Sequence, residues 1–438
     1  MLDIKFIRQN PNKVKEGCRA KQAKVDIDEL LEVDKKRLET LQALEDMRAQ
    51  KNKASKKIGE TKKEKSSKKT NLLLALRPLE RARRNKKIIL EMKELDSNSD
   101  RLTQTIKELD EKFNALMLQV PNLPQDDVPV GKDASSNVVL KEVGEKPKFD
   151  FKPKDYLELA ERLNLIDIKR AAKVSGTRFG YLKGGAALLE FALIDLAFGT
   201  LTKDGFIPIV PPVMVKSEVA RGMGYFEQAD KEDAYYLPKD DLYLVGTSEQ
   251  SIGVMHTNEV FEEKDLPKRY VGFSTCFRRE SGSYGKDTKG IMRVHQFDKV
   301  EMFSFCHPEK SKEEHQFLLS MEEKLMQQLK IPYRVLQMCT AEIALPQAAK
   351  YDIEAWLPGQ NQYRETHSTS TCTDFQARRL NIRYRNKSGK VNFVHTLNGT
   401  AFAIGRTLIA IIENYQQKDG SIKVPEALQK NLKFKTIS

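Results

Sequence analysis

The 438-residue chain contains no run of eighteen apolar residues, which on length argues against a membrane-crossing helix. It contains no C-x-x-C pair: Cys18, Cys276, Cys306, Cys339 and Cys372 are odd in number and widely spaced. Such cysteines are expected to be free thiols in a reducing compartment, and they argue against a zinc site. The six histidines share no metal-ligand spacing, so His295 and His367 read as hydrogen-bonded structural residues. Neither G-x-x-x-x-G-K-[ST] nor a post-strand G-x-G-x-x-G occurs, so a nucleotide would have to be held by side chains and not by a glycine loop. The opening "MLDIKFIRQNPNKV" has an acid at position 3 and no apolar stretch, unlike a signal or transit peptide. These absences make a cytoplasmic location the expectation, with no membrane partner. The single tryptophan, Trp356 in "IEAWLPGQ", reads as core.

Positive charge is plentiful, and it is localised. Residues 51–87 hold 15 lysines and arginines against 3 glutamates, which accounts for nearly all of the net +13. A short basic segment on an otherwise balanced chain is the footprint expected of a phosphate-backbone partner; the plainer alternative is a disordered basic loop. The candidate contacts are Lys56, Lys57, Lys62, Lys63, Lys68, Lys69, Arg81, Arg83 and Arg84.

Residues 27 to about 118 read as two long helices. In the second, Ile88, Met92, Leu95, Leu102, Ile106, Leu109, Phe113 and Leu116 fall at alternating four- and three-residue steps, a heptad seam. The first has a rougher stripe at Ile27, Leu31, Leu38, Leu41 and Leu44. The turn is expected around 66–80, where Pro78 stands. The result would be an antiparallel coiled-coil hairpin with a basic far end, some 60 Å long at the helical rise per residue.

Residues 119–137, "QVPNLPQDDVPVGKDASSN", are rich in proline, aspartate and glycine and read as a linker. Beyond it, β-branched and aromatic runs such as "KRYVGFSTCF", "FDKVEMFSF" and "KYDIEAWL" alternate with helical stretches such as "AALLEFALIDLAFGTLTKDG". No βαβαβ order appears, which predicts an antiparallel sheet in an α+β domain over 138–438. The division expected is therefore a hairpin domain over 1–118, a linker over 119–137 and a sheet domain thereafter.

Chemistry concentrates in "CFRRESGSYGKDTKGIMRVHQFDKVE", residues 276–301. On a strand "TCFRRE", Arg278 and Glu280 would share a face, with Arg279 opposite. Arg278 suits a phosphate or carboxylate, and Glu280 an adenine amino group or a substrate amine. The return strand would supply Arg293, Phe297 to stack on a purine, and Glu301 as a further anion. Arg406 in "GTAFAIGRTLIAII" opens an apolar helix, where it suits terminal phosphates. Glu365 and Ser368 in "YRETHSTSTCTDF" are apt for Mg²⁺ between phosphates.

The combination resembles a family, the seryl-tRNA synthetases of the bacterial and organellar class II type, across almost the whole chain. "KDGFIPIVPPVMV", with Pro211 and Pro212 near a dimer interface, resembles the first class II motif. "FRRE" through "RVHQFDKVE" resembles the second, and "NGTAFAIGRTLIAIIENYQ" the third. Serine is implied by "VGTSEQ", "PGQNQYRETHSTSTCTDFQARR", "HTLNGT", the hairpin and the "VPNLPQDDVPVG" linker.

The resemblance implies a homodimeric class II catalytic sheet with an N-terminal hairpin that binds tRNA-Ser. Glu301, with Thr247 and Glu249, would hold the serine ammonium, Arg278 the serine carboxylate and α-phosphate, and Thr400 would lie near the serine hydroxyl. Glu280 would take the adenine amino group, Phe297 would stack on its ring, and Arg293 and Arg406 would hold the outer phosphates, with Arg278, Glu280 and Arg406 as the catalytic set. Glu365 and Ser368 would bind Mg²⁺. Serine and ATP would give seryl-adenylate and pyrophosphate, followed by transfer to tRNA-Ser and tRNA-Sec. The segment "SGSYGKDTKG" would close over ATP or the tRNA acceptor end. A non-charging homologue, acting as an amino acid:carrier ligase or as an RNA-binding regulator, is the alternative.

The chain departs from the family's pattern at Thr371, where asparagine is usual. It departs again in "CTAEIALPQ", where Ala341 and Ala344 replace glycines and Glu342 replaces a shorter acid. If those glycines serve positive φ, the alanines imply a strained loop.

Overall fold

Strands with alternating burial build one large sheet. The computed structural model describes residues 1–63, 77–225, 233–281, 287 and 289–438. Eight strands form that sheet: β1 (Val138–Val143), β2 (Ile207–Ile209), β3 (Lys268–Phe277), β4 (Gln296–Cys306), β5 (Tyr333–Gln337), β6 (Ala349–Leu357), β7 (Gln362–Thr373) and β8 (His395–Ala403). They lie in the order β1-β5-β6-β7-β8-β4-β3-β2. Every pairing is antiparallel except that of the edge strand β2 with β3. This is the antiparallel sheet with flanking helices of the α+β domain expected from sequence. β4 is buried from Lys299 to Cys306, as expected where one face meets helices and the other encloses a site.

Helices α5 (Gly185–Leu201), α6 (Ser311–Gln328) and α7 (Ile404–Asn414) contribute Leu189, Leu193, Leu318, Leu325, Leu408 and Ile411 to one core with Val300, Met302, Ile353 and Phe402. Averaged hydropathy makes Gly185–Asp204 long and apolar enough to cross a membrane, although no unbroken run of eighteen apolar residues exists. The helix instead places Leu189, Leu193 and Leu196 in the protein core. On its other side Leu188 and Phe191 are exposed, Phe191 by 68%.

The chain divides into two compact units, residues 24–119 and residues 1–23 with 120–438. In the smaller, α3 (Ile27–Lys63) and α4 (Arg77–Gln119) run antiparallel, fixed by Arg37–Asp110, Lys51–Asp96 and Lys112–Glu29 ion pairs. The seam residues Met92, Leu95, Leu102, Ile106, Leu109, Phe113 and Leu116 are all half-buried. In the first arm the buried stripe is Ile27, Leu30, Val33 and Leu44, while the expected Leu38 is 42% exposed. The four-residue step from Ile27 to Leu31 overshot by one position the face that runs through Leu30 and Val33. Pro78 lies at the second position of α4, where its missing N–H has no intrahelical partner to lose. Residues 64–76, and with them most of the expected turn, lie outside the described residues.

In the larger unit α1 (Ile4–Gln9) and α2 (Pro11–Ala20) precede Lys21, whose ammonium donates to the carbonyls of Ala344 (2.6 Å), Gln347 (2.8 Å), Leu345 (3.0 Å) and Asn122 (3.3 Å). The stretch read as a linker is anchored too. Asn122 Nδ2 donates to Pro346 O and Cys372 O, and Val128 is buried. Its prolines keep residues 120–133 out of helix and strand, yet its side chains still dock. Trp356 is half-buried, with Lys146 Nζ 4.1 Å from its ring centre. All five cysteines are buried free thiols.

Candidate active site

Period-two geometry puts Phe297, Lys299 and Glu301 of β4 on one face, above which two cavities of about 310 and 320 Å³ open. They share Asp233, Arg278, Lys299, Glu365 and Ser368, so the two spaces meet at a common wall. Thr247, Glu249 and Glu301 line the first, and Glu280, Arg293, Phe297, Thr400 and Arg406 the second.

Arg278 stands at the junction. β3 ends at Phe277, so Arg278 and Glu280 are not strand neighbours on a shared face, as the sequence reading had them. The chain turns sharply here. The Arg278 N–H donates to His295 O (2.9 Å), and its Nε donates to Gly246 O (3.0 Å). Its guanidinium lies 5.2 Å from the Phe297 ring centre. Arg279 lines neither cavity; its Nε donates to Ala234 O and it stacks on Tyr235.

Glu280 adopts φ +53°, a conformation that costs a side-chain-bearing residue roughly 1–3 kcal/mol and persists where the surroundings over-determine it. Arg293 Nη1 donates to its Oε2 (2.7 Å), Arg178 Nη1 to its main-chain O (3.2 Å), and the adjacent Arg279 N–H to Asp233 O (2.8 Å). Arg293 precedes β4 and does not belong to it.

Four basic groups of the floor have acidic partners: Lys299 with Glu301, Arg293 with Glu280, Lys350 with Asp352 (3.0 Å), and Arg406 with Glu365 (3.0 Å). Burial pushes the Glu365 carboxyl up, but Arg406, Lys350 and Arg278 together hold it down at about 2, so it stays ionised. Its Oε2 accepts from Arg406, and Ser368 borders both cavities beside it. An ionised carboxylate and a hydroxyl at this junction fit two oxygen ligands of a hard cation. Among the described residues no group of three or more His, Cys, Asp or Glu could hold a metal, so phosphates and water would have to complete the shell.

Glu301 is 1% exposed and accepts from Thr247 Oγ1 (3.2 Å). Glu249, equally buried, accepts from Tyr225 Oη (3.0 Å), Gln376 Nε2 (3.2 Å) and Asn398 Nδ2. Burial first, and Glu301 second, push its carboxyl up to about 7. Thr400 pairs across the sheet with Glu301.

Lys299, Lys350, Ser370, Asn398, Gln347 and Tyr225 also line the first cavity and were not singled out from sequence. Three of them follow a signal that was present. Lys299 lies two before Glu301, Asn398 two before Thr400, and Ser370 two after Ser368, each on the face of the named residue. Thr371, one step off that period, lines neither cavity; its hydroxyl lies 3.3 Å from Ser311 Oγ. Ala341 and Ala344 are absent from the positive-φ residues, so the expected loop strain does not arise. Of the basic hairpin candidates, Lys56 and Arg83 are exposed; the side chains of Lys57, Lys62, Lys63, Arg81 and Arg84, and all of Lys68 and Lys69, lie outside the described residues. So do 282–286 and 288 of the segment expected to close over the site.

Residues 1–124 match the family description "Seryl-tRNA synthetase N-terminal domain", and residues 235–415 match "tRNA synthetase class II core domain (G, H, P, S and T)". The chain is 43% identical to a serine–tRNA ligase of Dictyoglomus turgidum and 44% identical to one of Thermobifida fusca, in each case over 98% of this chain and 97% of the relative. The crystal structure of a seryl-tRNA synthetase from Pyrococcus horikoshii complexed with ATP superposes with a TM-score of 0.89 at 39% identity, covering 100% of this chain and 99% of that one.

Proposed function

Because this chain belongs to the seryl-tRNA synthetases, we propose that its paired cavities hold serine and ATP side by side, with Arg278 between them. The protein is an ATP-dependent serine–tRNA ligase of class II. Serine attacks the α-phosphate to give seryl-adenylate and pyrophosphate, and the seryl group then passes to the 3′ end of tRNA-Ser and, with the same acceptor chemistry, tRNA-Sec.

The observation that carries the site assignment is the shared wall. Arg278, already oriented through Gly246 O, faces both spaces and can bridge a carboxylate in one and a phosphate in the other. On this reading Glu301, Thr247 and Glu249 receive the ammonium, and Thr400, which borders the second cavity but pairs with Glu301 across the sheet, receives the hydroxyl. Phe297 stacks on adenine with Glu280 beside it, and Arg293 and Arg406 take the outer phosphates. Arriving phosphates would draw these arginines from their acidic partners at reduced cost, because the guanidinium groups are already part-buried and aimed. Mg²⁺ would be held by Glu365 and Ser368 and would neutralise phosphate charge. A site that hydrogen-bonds the hydroxyl rejects alanine, which would leave buried polar groups unpaired.

The basic hairpin, with Lys56, Lys57, Lys62, Lys63, Lys68, Lys69, Arg81, Arg83 and Arg84, grips the tRNA backbone in this proposal. A cytoplasmic homodimer would bury the exposed Leu188, Phe191, Ile207 and Val210 beside the open edge of β2. The test is pyrophosphate exchange with each amino acid in turn. Exchange dependent on serine, together with charging of tRNA-Ser, is expected. Absence of serine-dependent exchange overturns the assignment, and exchange without charging points to an amino acid:carrier ligase.

A further inference from the structure

The register between β4 and β8 breaks directly beneath the amino-acid subsite. Val300 pairs with Phe402 and Glu301 with Thr400, so Ala401 has no opposite residue and β8 bulges there. A bulge re-aims the side chains around it. Here those are Thr400 and Glu301, the two residues assigned to the hydroxyl and ammonium of serine.

Two fully buried polar side chains converge on this bulge: Glu322, which lines neither cavity, and His367, which borders the second. Glu322 of α6 is 0% exposed, and neither carboxyl oxygen completes a hydrogen bond. Its Oε1 occupies the space left by the missing side chain of Gly399, where a Cβ would lie 3.2 Å from it. The polar main-chain group that bears on the carboxyl is the N–H of Thr400. His367 of β7 is 1% exposed, holds Thr366 Oγ1 through Nδ1 (2.8 Å) and leaves Nε2 without a partner. Its ring lies against Phe402 (5.8 Å), the residue that follows the bulge. Buried polar groups are ordinarily hydrogen-bonded, so two orphans at one irregularity call for an explanation.

We infer that Glu322 and His367 are positioning residues of the serine subsite, seating the β8 bulge and thereby setting the spacing between Thr400 and Glu301. The inference rests on the assignment of those two residues to serine. Burial pushes the Glu322 carboxyl well up, aided by Glu301, and an amide of the same shape can replace it. Gly399 is part of the device, because a Cβ there would crowd the carboxyl (3.2 Å) together with Met302 Cε (3.1 Å) and Thr369 Oγ1 (3.3 Å).

Serine-dependent pyrophosphate exchange by the full-length protein, with KM measured separately for serine and ATP, tests it. Glu322→Ala is expected to raise the serine KM about tenfold, the scale of one lost buried polar contact, with the ATP KM essentially unchanged. Glu322→Gln should restore the wild-type serine KM. Gly399→Ala, with Glu322 still present, should reproduce the Glu322→Ala defect, and it carries the test alone if Glu322→Ala does not fold. Parallel rises in both KM values, or an unchanged serine KM in Gly399→Ala, overturn the inference. A wild-type protein with no serine-dependent exchange would instead overturn the functional assignment on which it rests.

Discussion

The Lys112–Glu29 pair of the helical hairpin and the Lys299–Glu301 pair of the sheet floor use the same residue types under opposite conditions. In the hairpin, the Lys112 and Glu29 side chains are 53% and 43% exposed. On the floor, Lys299 and Glu301 are 10% and 1% exposed and touch. Water and salt screen the first kind, whose net worth is small. The second kind is desolvated, so removing one partner strands a charge and displacing one by substrate engages a group already aimed. Basic residues thus serve as a diffuse surface for a long polyanion in one region and as fixed contacts for a small zwitterion and a nucleotide in the other.

The sharpest way to break this contrast lies at the junction of the cavities. Arg278→Ala is expected to lower the rate of serine-dependent exchange by at least roughly 10²–10³-fold, the range seen when one preorganised charge contact is removed. tRNA binding, measured by filter retention, should stay near wild type. Loss of both together would mean that the two regions are not separable.

Glu249 gives an intermediate effect with a defined sign. Its carboxyl is raised from 4.5 to about 7, by burial and then by Glu301. A carboxyl raised on folding holds its proton more tightly in the native state. Stability from this group is therefore present at acid pH and lost as pH rises from 4.5 to about 7. Ionisation near pH 7 adds negative charge where the serine ammonium is assigned. The serine KM should accordingly fall severalfold as pH rises through about 7, and Glu249→Gln should flatten that profile.

The hairpin supplies the small end of the scale. Lys112→Ala, which breaks the pair with Glu29, is expected to change stability in urea unfolding by less than about 0.5 kcal/mol. A cost several times larger would place hairpin pairs in the same class as those of the floor.

Legibility in the sequence follows the same division. The second arm of the hairpin was readable because one repeated step, from Met92 to Leu116, fixes a helical face. The first arm was less so, since Leu30 and Val33 fill the face that Leu38 leaves. The floor was readable where strands are regular: Phe297 and Glu301 of β4 were both identified, although the intervening Lys299 was not singled out. It was not readable at irregularities. The end of β3 before Arg278, the positive φ of Glu280 and the bulge at Ala401 arise from long-range pairing that no local period encodes. Lys21, far away in sequence, reaches the loop of Ala344 and Gln347 for the same reason.

One measurement bears most directly on the separation of tasks between sheet and hairpin. Lys56, Lys57, Lys62, Lys63, Lys68, Lys69, Arg81, Arg83 and Arg84 are all replaced by glutamine, and serine-dependent exchange and tRNA-Ser charging are followed in the same preparation. Exchange at the wild-type rate, with charging reduced at least roughly 10²-fold and with a flattened salt dependence, is the expected result. Charging that survives the substitutions, or exchange that is lost with it, would contradict the division.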